Sequence, residues 1–231
     1  MEEKLLKIQE QRAERTRKRK QQVRVQKILF GAAGVILLLG TAFFMRIFPV
    51  ETGEGKTRTV NGIAVDGDGP LIDVQLLTVN EYSRPGLAVD KINGVVIHYT
   101  ANPGSTAKEN RDYFENLKDT HDTKASSNFI VGLEGEIIQC VPTNEIAYAS
   151  NSRNSDTVSI ETCHPDDTGK FNEATYRSLV ELTAFLCRKF DLDSDSIIRH
   201  YDVTGKICPK YFVENEDAWE AFKMDVAELI K

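Results

Sequence analysis

The chain has 231 residues, 41% of them hydrophobic and 8% aromatic, enough for one catalytic-sized domain with appendages. Its formal net charge of −6 is divided unevenly: residues 1–27 hold ten Lys/Arg against four Glu, whereas residues 47–231 hold 18 Lys/Arg against 31 Asp/Glu. That division excludes one homogeneous domain, and the acidic larger part argues against a nucleic-acid partner.

Residues 1–27 read as a charged, basic helix on the cytoplasmic side. The cluster from Arg15 to Lys20 suits anionic lipid or nucleic acid, but its simpler role is to set membrane orientation. Residues 28–45 then run 18 positions without a charge, ILFGAAGVILLLGTAFFM, and Arg46 closes the run. A membrane-spanning helix needs about 17–25 apolar residues, so 28–46 is expected to be a transmembrane helix. The alternatives are a cleaved signal peptide and a buried core helix. The run exceeds a usual signal-peptide core, and no clear small-x-small cleavage site follows it. With the basic flank N-terminal, the acidic part is expected outside the cytoplasmic membrane. Residues 47–70 hold five glycines and two prolines and read as a flexible linker.

The folded domain is expected over residues 71–231. A lead-in at Leu71–Leu77 and a turn at Ser83–Gly86 precede a strand at Val95–Tyr99. Ser105 is positioned to cap a helix reaching about Lys118, with Ala107, Phe114 and Leu117 inward. Phe129–Val131 and Glu136–Val141 read as strands joined by the turn Gly132–Gly135. After a polar loop at 149–157, Val158–Cys163 alternates, with Val158 and Ile160 on one face and Ser159, Glu161 and Cys163 on the other. A helix at 173–190 follows an Asn172 cap, with its stripe from Tyr176 to Phe190. Ser196–His200 reads as a strand, 201–209 as a loop, and 216–230 as a last helix presenting Trp219, Phe222, Val226, Leu229 and Ile230. Strands interleaved with amphipathic helices give an α/β fold, a central mixed β-sheet flanked by helices, preceded by the one transmembrane helix.

Two short β-branched runs each end in a histidine, His98 and His200, and the loop after His200 returns Cys208. Imidazole nitrogens and a thiolate sulfur are zinc ligands, and a catalytic zinc takes three protein ligands and keeps one position open. His98, His200 and Cys208 are therefore candidate metal ligands for Zn2+. Lys206, two residues before Cys208, projects to the same side if the loop is extended, where its ammonium would stabilise an oxyanion; alone it would read as a surface lysine. Glu161 is a candidate proton-transfer group, with a solvated strand glutamate as the plain alternative. His164 is a weaker alternative ligand, and His121 is expected in solvent. Tyr99, Tyr148 and Tyr201 are each either hydrogen-bond donors or packing residues. Cys187 falls on a helix stripe as a core residue, and Cys140 and Cys163 lie on two strands where pairing is an open question.

The segments His98-Tyr99-Thr100-Ala101-Asn102-Pro103, Ser126-Ser127-Asn128-Phe129-Ile130-Val131, Ile138-Gln139-Cys140-Val141-Pro142, Ser159-Ile160-Glu161, and His200-Tyr201-Asp202-Val203 through Lys206-Ile207-Cys208-Pro209 carry a resemblance. Together they resemble the type 2 N-acetylmuramoyl-L-alanine amidases, zinc enzymes related to T7 lysozyme and the peptidoglycan recognition proteins. The resemblance covers roughly residues 71–231. It implies one zinc on His98, His200 and Cys208, and cleavage of the amide between N-acetylmuramic acid and L-alanine in peptidoglycan. It also implies a catalytic Lys206 and a catalytic Glu161, the latter by likeness to related recycling amidases. Two positions depart from the pattern: Ser127 stands where the T7-type enzymes have a catalytic tyrosine, and Ala149-Ser150 stand where many relatives have a histidine. The expected protein is a monomer on the outer side of the cell membrane, acting on peptidoglycan and not on nucleic acid. The rival expectation is a non-catalytic peptidoglycan-binding module on the same fold, although such relatives usually lose the cysteine. A zinc peptidase of the stem peptide is a third possibility, and the absence of a His-Glu-x-x-His motif removes one large class of these.

Overall fold

The computed structural model describes the backbone of residues 58–60 and 63–65, and residues 69–230. The expected basic segment and transmembrane helix lie outside the described residues. Among the described residues no helix is long and apolar enough to cross a membrane. Within the segment read as a linker, β1 (Arg58–Val60) pairs antiparallel with β2 (Ile63–Val65).

A six-stranded mixed sheet forms the centre. Its strands are β3 (Ile72–Val74), β4 (Gly94–Ile97), β5 (Phe129–Val131), β6 (Ile137–Gln139), β7 (Thr157–Thr162) and β8 (Ile197–Arg199), in the order β3-β6-β5-β7-β4-β8. Only β5 and β6 run antiparallel, as the tight turn between them requires. β5, β7, β4 and β8 are parallel neighbours, so their carboxyl ends emerge together. Such strands are covered on both faces and read as continuous apolar runs, which is why Val95, Val96 and Ile97 are all fully buried. Gly94 opens β4 because a Cβ there would stand 2.7 Å from the Ser196 carbonyl oxygen, closing the approach of β8.

Helices cover both faces. α1 (Ala107–Thr120) lays Ala107, Phe114 and Leu117 against Ile130, Ile138 and Cys163. Its cap is Thr106, not Ser105: Thr106 and Glu109 form a reciprocal capping box. Ser105 is instead buried beside the helix, donating to the Asn102 carbonyl and accepting from Asn110. On the other face lie α2 (Glu173–Phe190), capped by Asn172, and α5 (Glu216–Ile230). They close over Val95, Ile97, Val158 and Ile160 with Leu179, Leu182, Leu186, Cys187, Trp219, Phe222 and Val226. Leu229, expected on the inner face of α5, is 47% exposed, whereas its neighbour Ile230 packs against the core. Two short helices occupy stretches not expected to be helical: α3 (His200–Thr204), closed by Gly205 at φ +77°, and α4 (Lys210–Glu214).

All four cysteines are buried and free. Extending the strand registers places Cys140 beside Asn128 and Cys163 beside Gly132, on strands that flank β5 from opposite sides. Two strand spacings, about 9.5 Å, exceed the roughly 7 Å Cα limit of a disulfide, so this pair does not bridge.

The fully buried Phe222 ring lies 5.2 Å from Phe212 and 5.5 Å from Trp219, centroid to centroid. Phe222→Ala is expected to lower unfolding free energy by about 3–5 kcal/mol, read from the shift of the urea midpoint. A loss under about 1 kcal/mol would contradict this account of the core.

Candidate functional site

The site follows from strand register. Ile97 of β4 stands opposite Ile160 of β7 on one side and Arg199 of β8 on the other. The next residue on each strand is His98, Glu161 and His200. Three polar side chains thus form a row across the carboxyl ends of three adjacent parallel strands, where ligands of open α/β sheets bind. The apolar run of β4 stops at His98, and His200 begins α3, whose first turn is fixed by Arg199. That guanidinium donates to Asp202, to Glu216 and to the Phe212 carbonyl oxygen. The chain then returns through Gly205, and the Tyr201 amide donates to the Cys208 carbonyl oxygen at 2.9 Å. This hook carries Cys208 back beneath the two histidines.

His98, His200 and Cys208 are all buried, and their ligand atoms lie within 4.8 Å of one another. Cys208 Sγ is 3.8 Å from His98 Nδ1, and the two imidazole centroids are 4.6 Å apart. Ligands at zinc distances in a tetrahedral shell stand about 3.4–3.6 Å apart, so a small closure suffices. Two further observations fit a cation. His200 Nδ1 is buried and has no hydrogen-bond partner, while its other nitrogen is engaged by Asn151. Two imidazoles with one sulfur form a borderline-soft donor set that suits zinc.

The electrostatics carry the cost of burial without an ion. Burial pushes the Cys208 thiol up to about 12, reinforced by Glu161 and opposed by the Tyr99 backbone amide and Lys206. Burial also holds His98 well below the ordinary histidine range, aided by His200 and Lys206. His200 is lowered by burial and by Lys206. Glu161 lies 4.0 Å from His98 Nδ1, its side chain 18% exposed, and its Oε2 atom has no partner. Burial raises its carboxyl to about 8 against the pull of Lys206. The Lys206 side chain is exposed, yet its charge bears on all four groups.

The other sequence candidates fall elsewhere. His164 is buried but outside the three-residue group; its Nδ1 donates to the Asp166 carbonyl oxygen and its ring tilts against Tyr99. His121 is exposed, ends α1 in a left-handed conformation and stacks on Tyr82. Ser127 is fully buried and donates to the Phe129 carbonyl oxygen, so it packs and holds backbone. Ser150, noted in the sequence only as part of a departure from the family pattern, and Asn151, not singled out at all, touch the two histidines: Ser150 Oγ is 3.0 Å from His98 Nε2, and Asn151 Oδ1 is 2.9 Å from His200 Nε2.

Known proteins share this arrangement of chain. Residues 88–211 match the sequence model of the family described as N-acetylmuramoyl-L-alanine amidase. The N-acetylmuramoyl-L-alanine amidase CwlL of Bacillus licheniformis is 35% identical over 164 residues, 66% of this chain and 45% of that protein. The N-acetylmuramoyl-L-alanine amidase BlyA of Bacillus subtilis is 34% identical over 168 residues, 64% of this chain and 44% of its own length. The chain therefore spans less than half of these curated relatives. A mutant endolysin from Bacillus subtilis superposes with a TM-score of 0.58 at 26% identity, covering 68% of this chain and 98% of the other.

Glu161 sets a pH dependence in the metal-free protein. The folded chain keeps the carboxyl proton up to about pH 8, whereas the unfolded chain loses it near 4.5. Between those values the native state binds more protons, so stability falls as pH rises, by at most about 1.4 kcal/mol per unit. Metal-free Glu161→Gln is expected to lose less stability than wild type between pH 5 and 8 in urea titrations. Parallel curves for the two proteins would contradict a buried, neutral Glu161.

Proposed function

The chain belongs to the N-acetylmuramoyl-L-alanine amidase family, and from that premise we propose that it is a zinc-dependent amidase of peptidoglycan. The bond it cuts is the amide between N-acetylmuramic acid and the L-alanine of the stem peptide. The observation that carries the reading is the convergence of His98, His200 and Cys208 beside Glu161, all four within reach of the Lys206 charge.

His98, His200 and Cys208 would hold the zinc. Bound there, the ion would supply Lewis-acid activation of water and draw Cys208 and Glu161 toward their anions. Glu161 accepts a proton from the attacking water and delivers it to the leaving amine of L-alanine. Its place in the row beside His98 keeps it within the same small space as the reacting groups. Lys206 brings an ammonium to the carbonyl oxygen as negative charge gathers there, the role of an oxyanion donor. With Ser127 turned into the core, Glu161 is the titratable group next to His98 that can move this proton.

The domain limits and location form part of the same proposal. Residues 1–27 stay in the cytoplasm, 28–46 span the membrane, 47–70 reach across, and 71–231 meet the wall outside as a monomer. The uncharged run behind a basic flank supports this orientation. The three-ligand set including Cys208 favours an enzyme over a non-catalytic binding module.

Zinc-loaded protein incubated with muropeptides is expected to free L-alanine amino termini, with mass spectrometry placing the cut at the lactyl amide. Glu161→Gln should lower kcat by about 10²–10⁴-fold. Retention of muropeptides without any cleavage would favour the binding module, and fragments cut inside the stem would favour a peptidase.

A further inference from the structure

The polar loop at 149–154 reaches the back of both histidines. Ser150 Oγ meets His98 Nε2 and Asn151 Oδ1 accepts from His200 Nε2, while the opposite nitrogens face Cys208 or lack any partner. A neutral imidazole that carries its proton on Nε2 keeps its lone pair on Nδ1. An oxygen that only accepts, such as Asn151 Oδ1, therefore decides which nitrogen of His200 is free to bind, and the Ser150 hydroxyl can accept the same Nε2–H from His98. The loop is itself braced: Asn154 Oδ1 accepts from the amides of Ala149 and Ser150 at 3.1 and 2.5 Å. Asn151 adopts φ +51°, a left-handed conformation that asparagine tolerates better than most residues. One residue thus satisfies the backbone turn and presents a carbonyl to the ring.

We infer that Ser150 and Asn151 are positioning residues that hold the Nε2–H of His98 and His200, so that both Nδ1 lone pairs converge with the Cys208 sulfur. The inference rests on the metal reading proposed above. Partners of this kind fix ring orientation and tautomer, and their loss typically weakens metal binding about 10–100-fold.

The test uses the full 231-residue chain with Ser150→Ala, Asn151→Gly and Asn151→Asp. Glycine accepts the positive φ while removing the acceptor, and aspartate keeps both. Zinc affinity is read by competition with a fluorescent chelator. The tautomer of His200 is read from side-chain nitrogen spectra of the metal-free protein. Ser150→Ala and Asn151→Gly are expected to weaken zinc binding about 10–100-fold each, and Asn151→Asp to retain the wild-type affinity. Metal-free wild type should carry the His200 proton on Nε2, and Asn151→Gly should populate both tautomers. Wild-type affinity and an unchanged tautomer in Asn151→Gly would overturn the inference and leave the metal reading standing. Equal losses in Asn151→Gly and Asn151→Asp would also overturn it, by pointing to the backbone alone. A wild-type chain that takes up no zinc would overturn the metal reading itself.

Discussion

The parallel register of β7, β4 and β8 holds the structure's chemistry together. Backbone hydrogen bonds align Ile160, Ile97 and Arg199, and the residues that follow are Glu161, His98 and His200. A slip of one residue in β4 would turn His98 toward the opposite face of the sheet. The register is protected by burial, since Val95 and Ile97 pack with Val158 and Ile160 under α2 and α5. Gly94 allows β8 to come close enough for pairing. Core packing and site geometry are thus set by the same contacts.

Around that row the protein gathers groups that would each be easier to place in water. Burial drives the thiol of Cys208 and the carboxyl of Glu161 toward their protonated forms and the imidazoles toward neutrality. Several polar atoms remain without partners, including His200 Nδ1 and Glu161 Oε2. Each such atom costs about 1–3 kcal/mol when buried. Four groups held in uncharged forms around unpaired lone pairs make a pocket suited to a cation, because a positive ion reverses each of these penalties. Lys206 stays at the solvent side, so its charge reaches the row without a buried ammonium.

Much of this was legible in the sequence because the patterns were strong. The helix at 173–190 with its Asn172 cap, the last helix at 216–230, the turn between β5 and β6, and the face division of β7 followed from periodicity and turn residues. The candidate metal residues were legible because histidines closing β-branched runs are unusual. The short helices α3 and α4 were not, since five residues give no period to read. The Thr106 cap was missed because Ser105 and Thr106 are both capping residues, and burial of Ser105 decides between them. The places of Cys140 and Cys163 depend on strand order, which no local pattern encodes. The contacts of Ser150 and Asn151 with the histidines were hidden for the same reason: their partners are about 50 positions away in either direction along the chain.

X-ray absorption at the zinc edge of the metal-loaded chain tests the central claim most directly. The account predicts a shell with two nitrogens at about 2.0–2.1 Å and one sulfur at about 2.3 Å, completed by a lighter atom. A shell of oxygen and nitrogen without sulfur would contradict it, because Cys208 would then stand outside the site.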